Sequence, residues 1–502
     1  GHPTVDGRDR LGSLARWRPV QSPANRSNAP DTGFIDPSGA NADAIRDLAE
    51  DVLDQLLGQL GAAADRSPLP DESAAPAGTI PESPRSRTDL LSDLETIVEG
   101  SMNPAHPGYI GHMDTMPTTV SVLGDLVASA VNNNMLSVEM SPVFSEFEVQ
   151  LTETIASEFG LGPDAGGVLA SGGSLANLHA LSVARNQAFD VHEGGLTGLD
   201  GEPVLFASEV AHTSLQKAAM LLGLGTDAVI AVETDADSRM KPSALNQAVE
   251  QAERDGRLPF CVVATAGTTT TGNIDPLPAV RDVADEHDLW LHVDAAYGGA
   301  LVFSEAERGR LDGIEAADSV TFNPQKWCYV AKTCAMALFT DTDVLQEDFR
   351  IGAPYMRGDD AIPNLGELSV QGTRRAAVLK LWLTFQHLGR EGLGQLIDES
   401  YRLTAAIRDR VADHDALELA SEPEMNLVCF RAAPDWCPPG ERDALNGRLQ
   451  RYLLSEQDIF VSLPTYLDTR WLRVVLLNPF TDETTLDRLL DGVDLFLEAE
   501  RP

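Results

Sequence analysis

Over residues 41–61 the apolar positions Ile45, Leu48, Val52, Leu56, Leu57 and Leu60 recur with the helical period, and the spacing predicts an amphipathic helix. The segment before it, 1–40, is rich in Pro, Ser, Asn and Arg and has no sustained period, which predicts a disordered arm or an expression remnant. A Pro/Ser-rich connector follows over 66–87. From about 101 to 386 the pattern changes to short runs such as Val204-Leu-Phe-Ala207, Ala228-Val-Ile-Ala-Val232 and Phe260-Cys-Val-Val-Ala264, separated by helical stretches. That alternation predicts a doubly wound, mainly parallel α/β sheet. Beyond it, helical patterns near 392–414 and 441–454 and strand-like runs at 426–430 and 471–476 predict a small α+β C-terminal domain. The expected division is a 1–40 arm, a 41–100 N-terminal helical segment, a 101–386 large domain and a 387–502 small domain.

A chain of 502 residues, 43% hydrophobic, is long enough to bury a sizeable core. Its formal charge of −40, from 77 Asp and Glu against 37 Lys and Arg, argues against nucleic acid or an anionic membrane surface as partner. The acid is spread along the chain and not gathered into a tail, a pattern that fits a solvated surface adapted to a high-salt, halophilic cytoplasm. Cys261, Cys328, Cys334, Cys429 and Cys437 form no CxxC pair and no His/Cys metal spacing, so neither disulfides nor a metal site is expected. Without an eighteen-residue apolar run or a hydrophobic signal core, the chain reads as soluble and cytoplasmic.

Lysine is scarce, with only Lys217, Lys241, Lys326, Lys332 and Lys380, yet Lys326 stands directly after Ser319-Val-Thr-Phe-Asn-Pro-Gln. Thirty-two residues upstream, the apolar run Leu289-Trp-Leu-His-Val ends in Asp294 and a turn of small residues. An amine able to form a Schiff base and a carboxylate at a strand's C-terminal end are two parts that pyridoxal phosphate chemistry requires. A third part is a phosphate cradle. Gly166-Gly-Val-Leu-Ala170 reads as a strand, and Ser171-Gly-Gly-Ser174 then opens a helix whose free amides and nearby hydroxyl suit a phosphate. An ordinary strand-to-helix turn would look the same, as would a capping Asp or a structural histidine such as His212 after its own strand. The combination carries the functional reading.

Six motifs occur in order: Asn103-Pro-Ala-His106-Pro107, Ser171-Gly-Gly-Ser174, Ala211-His212-Thr-Ser, Ala264-Thr265-Ala-Gly-Thr268-Thr, His292-Val-Asp294-Ala-Ala296-Tyr and Asn323-Pro-Gln-Lys326-Trp. Together they make the chain resemble the group II pyridoxal-phosphate-dependent amino acid decarboxylases, over roughly 103–480. The resemblance implies the fold of PLP-dependent transferases, the aspartate aminotransferase fold type I. It implies Lys326 as the Schiff-base lysine, Asp294 as partner of the pyridine nitrogen, and His212 and Ala296 as the groups enclosing the ring. Gly173, Ser174 and Asn323 would hold the phosphate, and Thr265 would support the ring's substituents. One position departs from the family. Gln325 stands where a histidine usually precedes the lysine, and an amide donates a hydrogen bond but carries no charge and shuttles no proton.

The resemblance also implies a mobile loop around Gly352-Ala-Pro-Tyr355, with Tyr355 the acid that reprotonates Cα, and a homodimer whose sites are shared between subunits. Arg473 matches a position that contacts the substrate carboxylate, although a structural ion pair would suit it equally. His106, His112 and Asp114 lie in a segment similar to the family's substrate entry; the polarity of His112 and Asp114 argues against a wholly aromatic pocket, and the reading leans to an acidic or diamino substrate. The expected activity is therefore α-decarboxylation of a polar L-amino acid such as glutamate, aspartate or 2,4-diaminobutyrate. The alternatives are an aromatic amino acid decarboxylase, an aminotransferase on the same scaffold, and a non-catalytic PLP-binding protein.

Overall fold

A computed structural model describes residues 32–70, 75–351 and 362–502. The chain divides into two units, 1–103 and 104–502. In the first, the predicted helix spans Ala42–Gly61 (α1) and is followed by Arg87–Glu99 (α2). Gln55 Nε2 donates to the Leu91 carbonyl at 2.9 Å and holds the two together. Neither helix buries a residue: Leu53, Leu57, Leu60, Leu90, Leu94 and Ile97 stay exposed.

The second unit is built on a seven-stranded sheet: β1 (Gly166–Ala170), β2 (Pro203–Ser208), β3 (Val229–Val232), β4 (Leu258–Thr265), β5 (Trp290–Ala295), β6 (Ser319–Phe322) and β7 (Ala335–Phe339), in the order β1-β7-β6-β5-β4-β2-β3. Only β7 runs against the rest, pairing antiparallel with both β1 and β6. This is the mainly parallel α/β sheet the sequence predicts. The helices α3 (Thr119–Val131), α4 (Pro142–Glu158), α5 (Gly173–Ala188) and α6 (Ser214–Leu221) complete the part that frames the site.

Helices cover both faces of a parallel sheet, so its strands are apolar on both sides. Val204, Phe206, Val262 and Ala264 join the large core on one face, while Leu205, Ala207, Cys261 and Val263 join Leu181 of α5 and Leu215 of α6 on the other. In β5 and β6 the α5-facing side turns polar. The register sets Val263 beside His292, His292 beside Ser319, Thr265 beside Asp294, and Asp294 beside Thr321. Ligands of open parallel sheets sit at the strands' carboxyl ends, where Ala170, Ser208, Thr265, Asp294 and Phe322 all lie.

The C-terminal residues add a three-stranded antiparallel sheet in which Leu472–Val475 pairs with Leu427–Ala432, packed on its own apolar core. The helix Val378–Ala412 runs across residue 386 and is broken at Gly389, where φ is 62°. Among the described residues no helix is long and apolar enough to cross a membrane.

Candidate active site

Asp294 is the penultimate residue of β5 and is 6% exposed. Its Oδ1 accepts the Ala296 amide at 3.1 Å and its Oδ2 accepts Asn177 Nδ2 at 2.9 Å. Asn177 is buried on the second turn of α5, and sequence reasoning did not find it. The available signal was the period-two alternation of His292, Asp294, Ser319 and Thr321, which marks a polar stripe inside a sheet that is otherwise apolar on that side. Such a stripe needs a polar partner from the covering helix, and Asn177 is the residue α5 supplies.

The first turn of α5 faces a different need. Its N-cap residue, Gly172, provides no side-chain cap, so the amides of Gly173 and Ser174 have no partner within the helix. A Cβ on Gly173 would come within 2.9 Å of Asn323 Nδ2, so this glycine lets the helix start approach Asn323 closely. Asn323 is buried, and its Oδ1 has no hydrogen-bond partner. A buried amide with an open position beside uncapped helix amides is the cradle a phosphate group fills. Ser208 Oγ, at the end of β2, is likewise buried without a partner.

Lys326 follows β6 through a turn in which its amide donates to the Asn323 carbonyl at 3.0 Å. Burial pushes its amine below the usual lysine range; Asp294 and Asp114 oppose that shift, and Lys332 and Arg473 add to it. Four charged side chains from four segments thus converge on this amine. A lysine shifted downward in this way is a more available nucleophile. Gln325 takes an unexpected partner: its Oε1 accepts the Cys334 amide at 2.6 Å while its own amide donates to the Cys334 carbonyl at 3.2 Å. The amide oxygen therefore clamps the lysine loop, and the NH2 remains as its donor. Thr265 is buried at the end of β4, its amide held by Asp275 Oδ2 at 2.7 Å. Ala296 is half-buried immediately past Asp294.

His212 is exposed, but its Nδ1 is engaged at 3.1 Å by the Ser214 amide and at 2.9 Å by the Ser214 hydroxyl. Loss of water from the covered part of its ring lowers its pKa, with Asp294 opposing and Lys326 and Lys217 assisting.

The substrate side is less uniform. Arg473 is buried in strand Leu472–Val475, its Nε donating to Ser462 Oγ at 3.0 Å and its Nη2 to the Gly111 carbonyl at 3.2 Å and His112 Nδ1 at 3.3 Å, while Nη1 reaches the Thr269 carbonyl. Among the described residues no carboxylate lies within ion-pair distance of it. Burial lowers its pKa, as it does that of His112. Asp114 pairs with Lys332 at 2.5 Å, both half-exposed; this lysine was not singled out from the sequence. His106 is placed apart from this group. Its Nδ1 accepts the Gly108 amide at 2.9 Å within a tight turn, and its charged neighbours are Asp458 and Arg488. Tyr355 and residues 352–361 lie outside the described residues. Among those that are described, no cluster of side chains suited to a metal ion is found.

The chain resembles known proteins over most of its length. The profile described as the pyridoxal-dependent decarboxylase conserved domain matches residues 70–433. L-2,4-diaminobutyrate decarboxylase of Acinetobacter baumannii is 31% identical over 425 residues, 81% of this chain and 83% of that protein. Cysteine sulfinic acid decarboxylase of Mus musculus is 32% identical over 427 residues, 82% of this chain and 86% of that protein. The crystal structure of mouse CSAD in apo form superposes with a TM-score of 0.85 at 29% identity, covering 91% of this chain and 99% of that one. The chain belongs to the pyridoxal-dependent decarboxylase family and is a carboxy-lyase that acts on an amino acid with pyridoxal phosphate as cofactor.

Proposed function

We propose that the enzyme removes the α-carboxylate from an acidic L-amino acid of the aspartate, glutamate or cysteine-sulfinate kind, releasing carbon dioxide and a primary amine. The observation that carries this reading is Arg473, a buried guanidinium with only neutral partners. Buried charges are ordinarily paired, and an anionic substrate supplies the missing partner. Lys332 acts on His112 together with Arg473, while Asp114 pairs with it. A diamino acid is the second reading, favoured by Asp114, whose carboxylate would meet a cationic side chain if the substrate displaced Lys332.

When bound, pyridoxal phosphate supplies the sink for the electron pair left at Cα as the carboxylate departs. Lys326 would anchor its aldehyde carbon, and Asp294 would face the ring nitrogen. His212 and Ala296 would enclose the ring, with Thr265 at its substituents. Gly173, Ser174 and Asn323 would hold the phosphate, assisted by the amide of Gln325. Arg473 and His112 orient the substrate's carboxylate groups, and Tyr355 carries the proton returned to Cα. His106 serves by shaping the entry turn. A homodimer with shared sites is supported by α3, whose Val122, Leu123, Leu126, Val127 and Val131 are between 41% and 65% exposed; a contiguous exposed apolar face is the mark of an interaction surface. The charge of −40 supports work in a high-salt cytoplasm.

The test is mass-spectrometric product analysis in high salt, with the PLP-loaded enzyme and a panel of aspartate, glutamate, cysteine sulfinate, diaminobutyrate, lysine and tyrosine. An amine from an acidic member is expected. Turnover of diaminobutyrate alone would establish the second reading, and a keto acid as sole product would overturn both.

A further inference from the structure

We propose that Asn177 is a positioning residue that couples the Asp294 carboxylate to the proton on His212 through one ordered run of hydrogen bonds. The inference rests on the placement of Asp294 and His212 at the cofactor proposed above.

The order follows from donor and acceptor chemistry. Asn177 Nδ2 lies 2.9 Å from both Asp294 Oδ2 and Ser214 Oγ, and Asn177 Oδ1 lies 3.1 Å from His292 Nε2. Turning the amide over would set its oxygen against the carboxylate, two acceptors face to face, so Asp294 fixes which way Asn177 points. His292 must then carry its proton on Nε2, to donate to the Asn177 oxygen, with Thr321 Oγ1 a longer second partner of the same nitrogen at 3.3 Å, and must accept at Nδ1. Ser319 Oγ is 2.8 Å from that Nδ1 and itself accepts Trp290 Nε1 at 2.8 Å, which directs the Ser319 hydrogen toward the histidine. At the other end Ser214 Oγ accepts from Asn177, so its hydrogen is free to point to His212 Nδ1, where the Ser214 amide also donates. Every hydrogen from Trp290 to His212 points the same way.

Two consequences bear on the site. The proton of His292 goes to Asn177 and not to Asp294, so the carboxylate keeps only neutral donors and stays available to a partner outside the protein. His212 presents Nε2–H and cannot take a second proton on Nδ1 without expelling the Ser214 amide. The tautomer of a histidine is set by the bond its other nitrogen makes; here the Ser214 amide sets it, and the Ser214 hydroxyl, ordered from Asp294 through Asn177, adds a second donor to the same nitrogen. Burial depresses the pKa of both histidines, in keeping with neutral rings.

The experiment uses full-length chain with 15N-labelled histidine, cofactor-free and PLP-loaded, read by long-range 15N–1H NMR; His212→Asn and His292→Gln assign the two signals. Both rings are expected as Nε2–H. Asn177→Asp keeps the shape but cannot donate to Asp294 or Ser214. In that variant His292 is expected to become cationic at neutral pH, the Kd for pyridoxal phosphate to rise roughly tenfold to a hundredfold, and the pH midpoint of the cofactor's visible band to move. Ser214→Ala is the milder variant. It retains the Asn177–Asp294 bond and the Ser214 amide, so cofactor Kd is expected to stay within about threefold and His212 to keep its tautomer. An Nδ1–H form on either ring in the unsubstituted chain overturns the proposal. So does an Asn177→Asp chain with unaltered cofactor Kd and absorption titration. The cofactor-free spectra read the proton order without reference to the cofactor, whereas a Lys326→Ala chain that still forms the covalent visible band would overturn the site reading itself.

Discussion

At Glu148 and Arg374 a buried carboxylate and a buried guanidinium meet each other; at Asp294 and Arg473 the same two groups are buried apart, each held by neutral partners. Glu148 is fully buried in α4, accepts the Leu169 amide at 3.0 Å, and takes both forks of Arg374. That pair ties α4 and β1 to the segment leading into helix Val378–Ala412, and it is complete within the protein. Asp294 and Arg473 have hydrogen bonds but no counter-ion among the described residues. Both act on Lys326 with opposite sign. On the proposed function, the difference separates structure from function. A charge that the fold needs is answered by the fold, and a charge reserved for a ligand is oriented by neutral groups and left unanswered.

Breaking the closed pair is expected to have the largest effect and to fall on stability alone. Glu148→Gln leaves Arg374 buried without its anion, a loss on the order of 3–5 kcal/mol, seen as a lower denaturant midpoint. The KM of the surviving folded enzyme should be unaltered. Asp294→Asn should do the reverse. The neutral amide still fits, so unfolding shifts little, while kcat falls roughly a hundredfold to a thousandfold and pyridoxal phosphate binds more weakly. A stability loss in Asp294→Asn equal to that of Glu148→Gln would erase the distinction.

Arg473→Met sharpens the contrast on the substrate side. Losing a charge-assisted bond costs about 1.5–3 kcal/mol, or roughly a tenfold to hundredfold rise in KM for the acidic substrate, with cofactor affinity retained. Arg473→Lys should recover only part of that loss, because a single ammonium cannot serve Ser462, Gly111, His112 and a substrate from one fixed fork. A KM that does not move would mean that Arg473 is spent on its backbone carbonyls.

The parallel strands, the α1 helix and the residues ending each strand were legible in sequence because each depends on local pattern: continuous apolar runs, a 3.6 period, and small residues after Asp294 and before Ser174. Asn177, Ser214 and Ser319 were not, since a buried Asn or Ser reads as an ordinary helix or strand residue until the register brings three segments to one point. Lys332 was missed for the same reason, its partner Asp114 being distant in sequence. Gln325 read as a lost histidine, whereas its oxygen has a partner, Cys334, nine residues away. Helix α3 inverts the usual rule. Its inward positions are Ser121, Gly124 and Ala128, and an added Cβ on Gly124 would come within 2.8 Å of Lys380 Cα. Its large apolar residues face outward, so the helical period of apolar positions alone points to the wrong side as the core.

Two buried histidines carry the comparison to its smallest measurable effect. His179, two residues beyond Asn177 on α5, bonds Leu175 O at 2.9 Å and Ser369 Oγ at 3.0 Å, and therefore holds its proton on Nδ1, the opposite tautomer to His292. Burial first of all pulls both down to about 4. A histidine depressed in the folded state contributes stability above its unfolded value near 6.5, and that stability is lost as pH falls from about 6.5 to about 4. Asp275 has the opposite sign: burial raises it to about 6, so the fold gains as it protonates below that pH. Of these three groups the two histidines outweigh the one carboxyl, and their sum is acid destabilisation between about pH 6 and 4. His179→Gln should remove one histidine's share, about 1.4 kcal/mol per pH unit at most, and flatten the dependence of the denaturant midpoint on pH in that window without touching cofactor binding. His292→Gln should flatten it as much and also weaken the cofactor, because its ring orients Asn177. Equal effects of the two variants on pyridoxal phosphate affinity would make both histidines structural and would return Asn177 to the core.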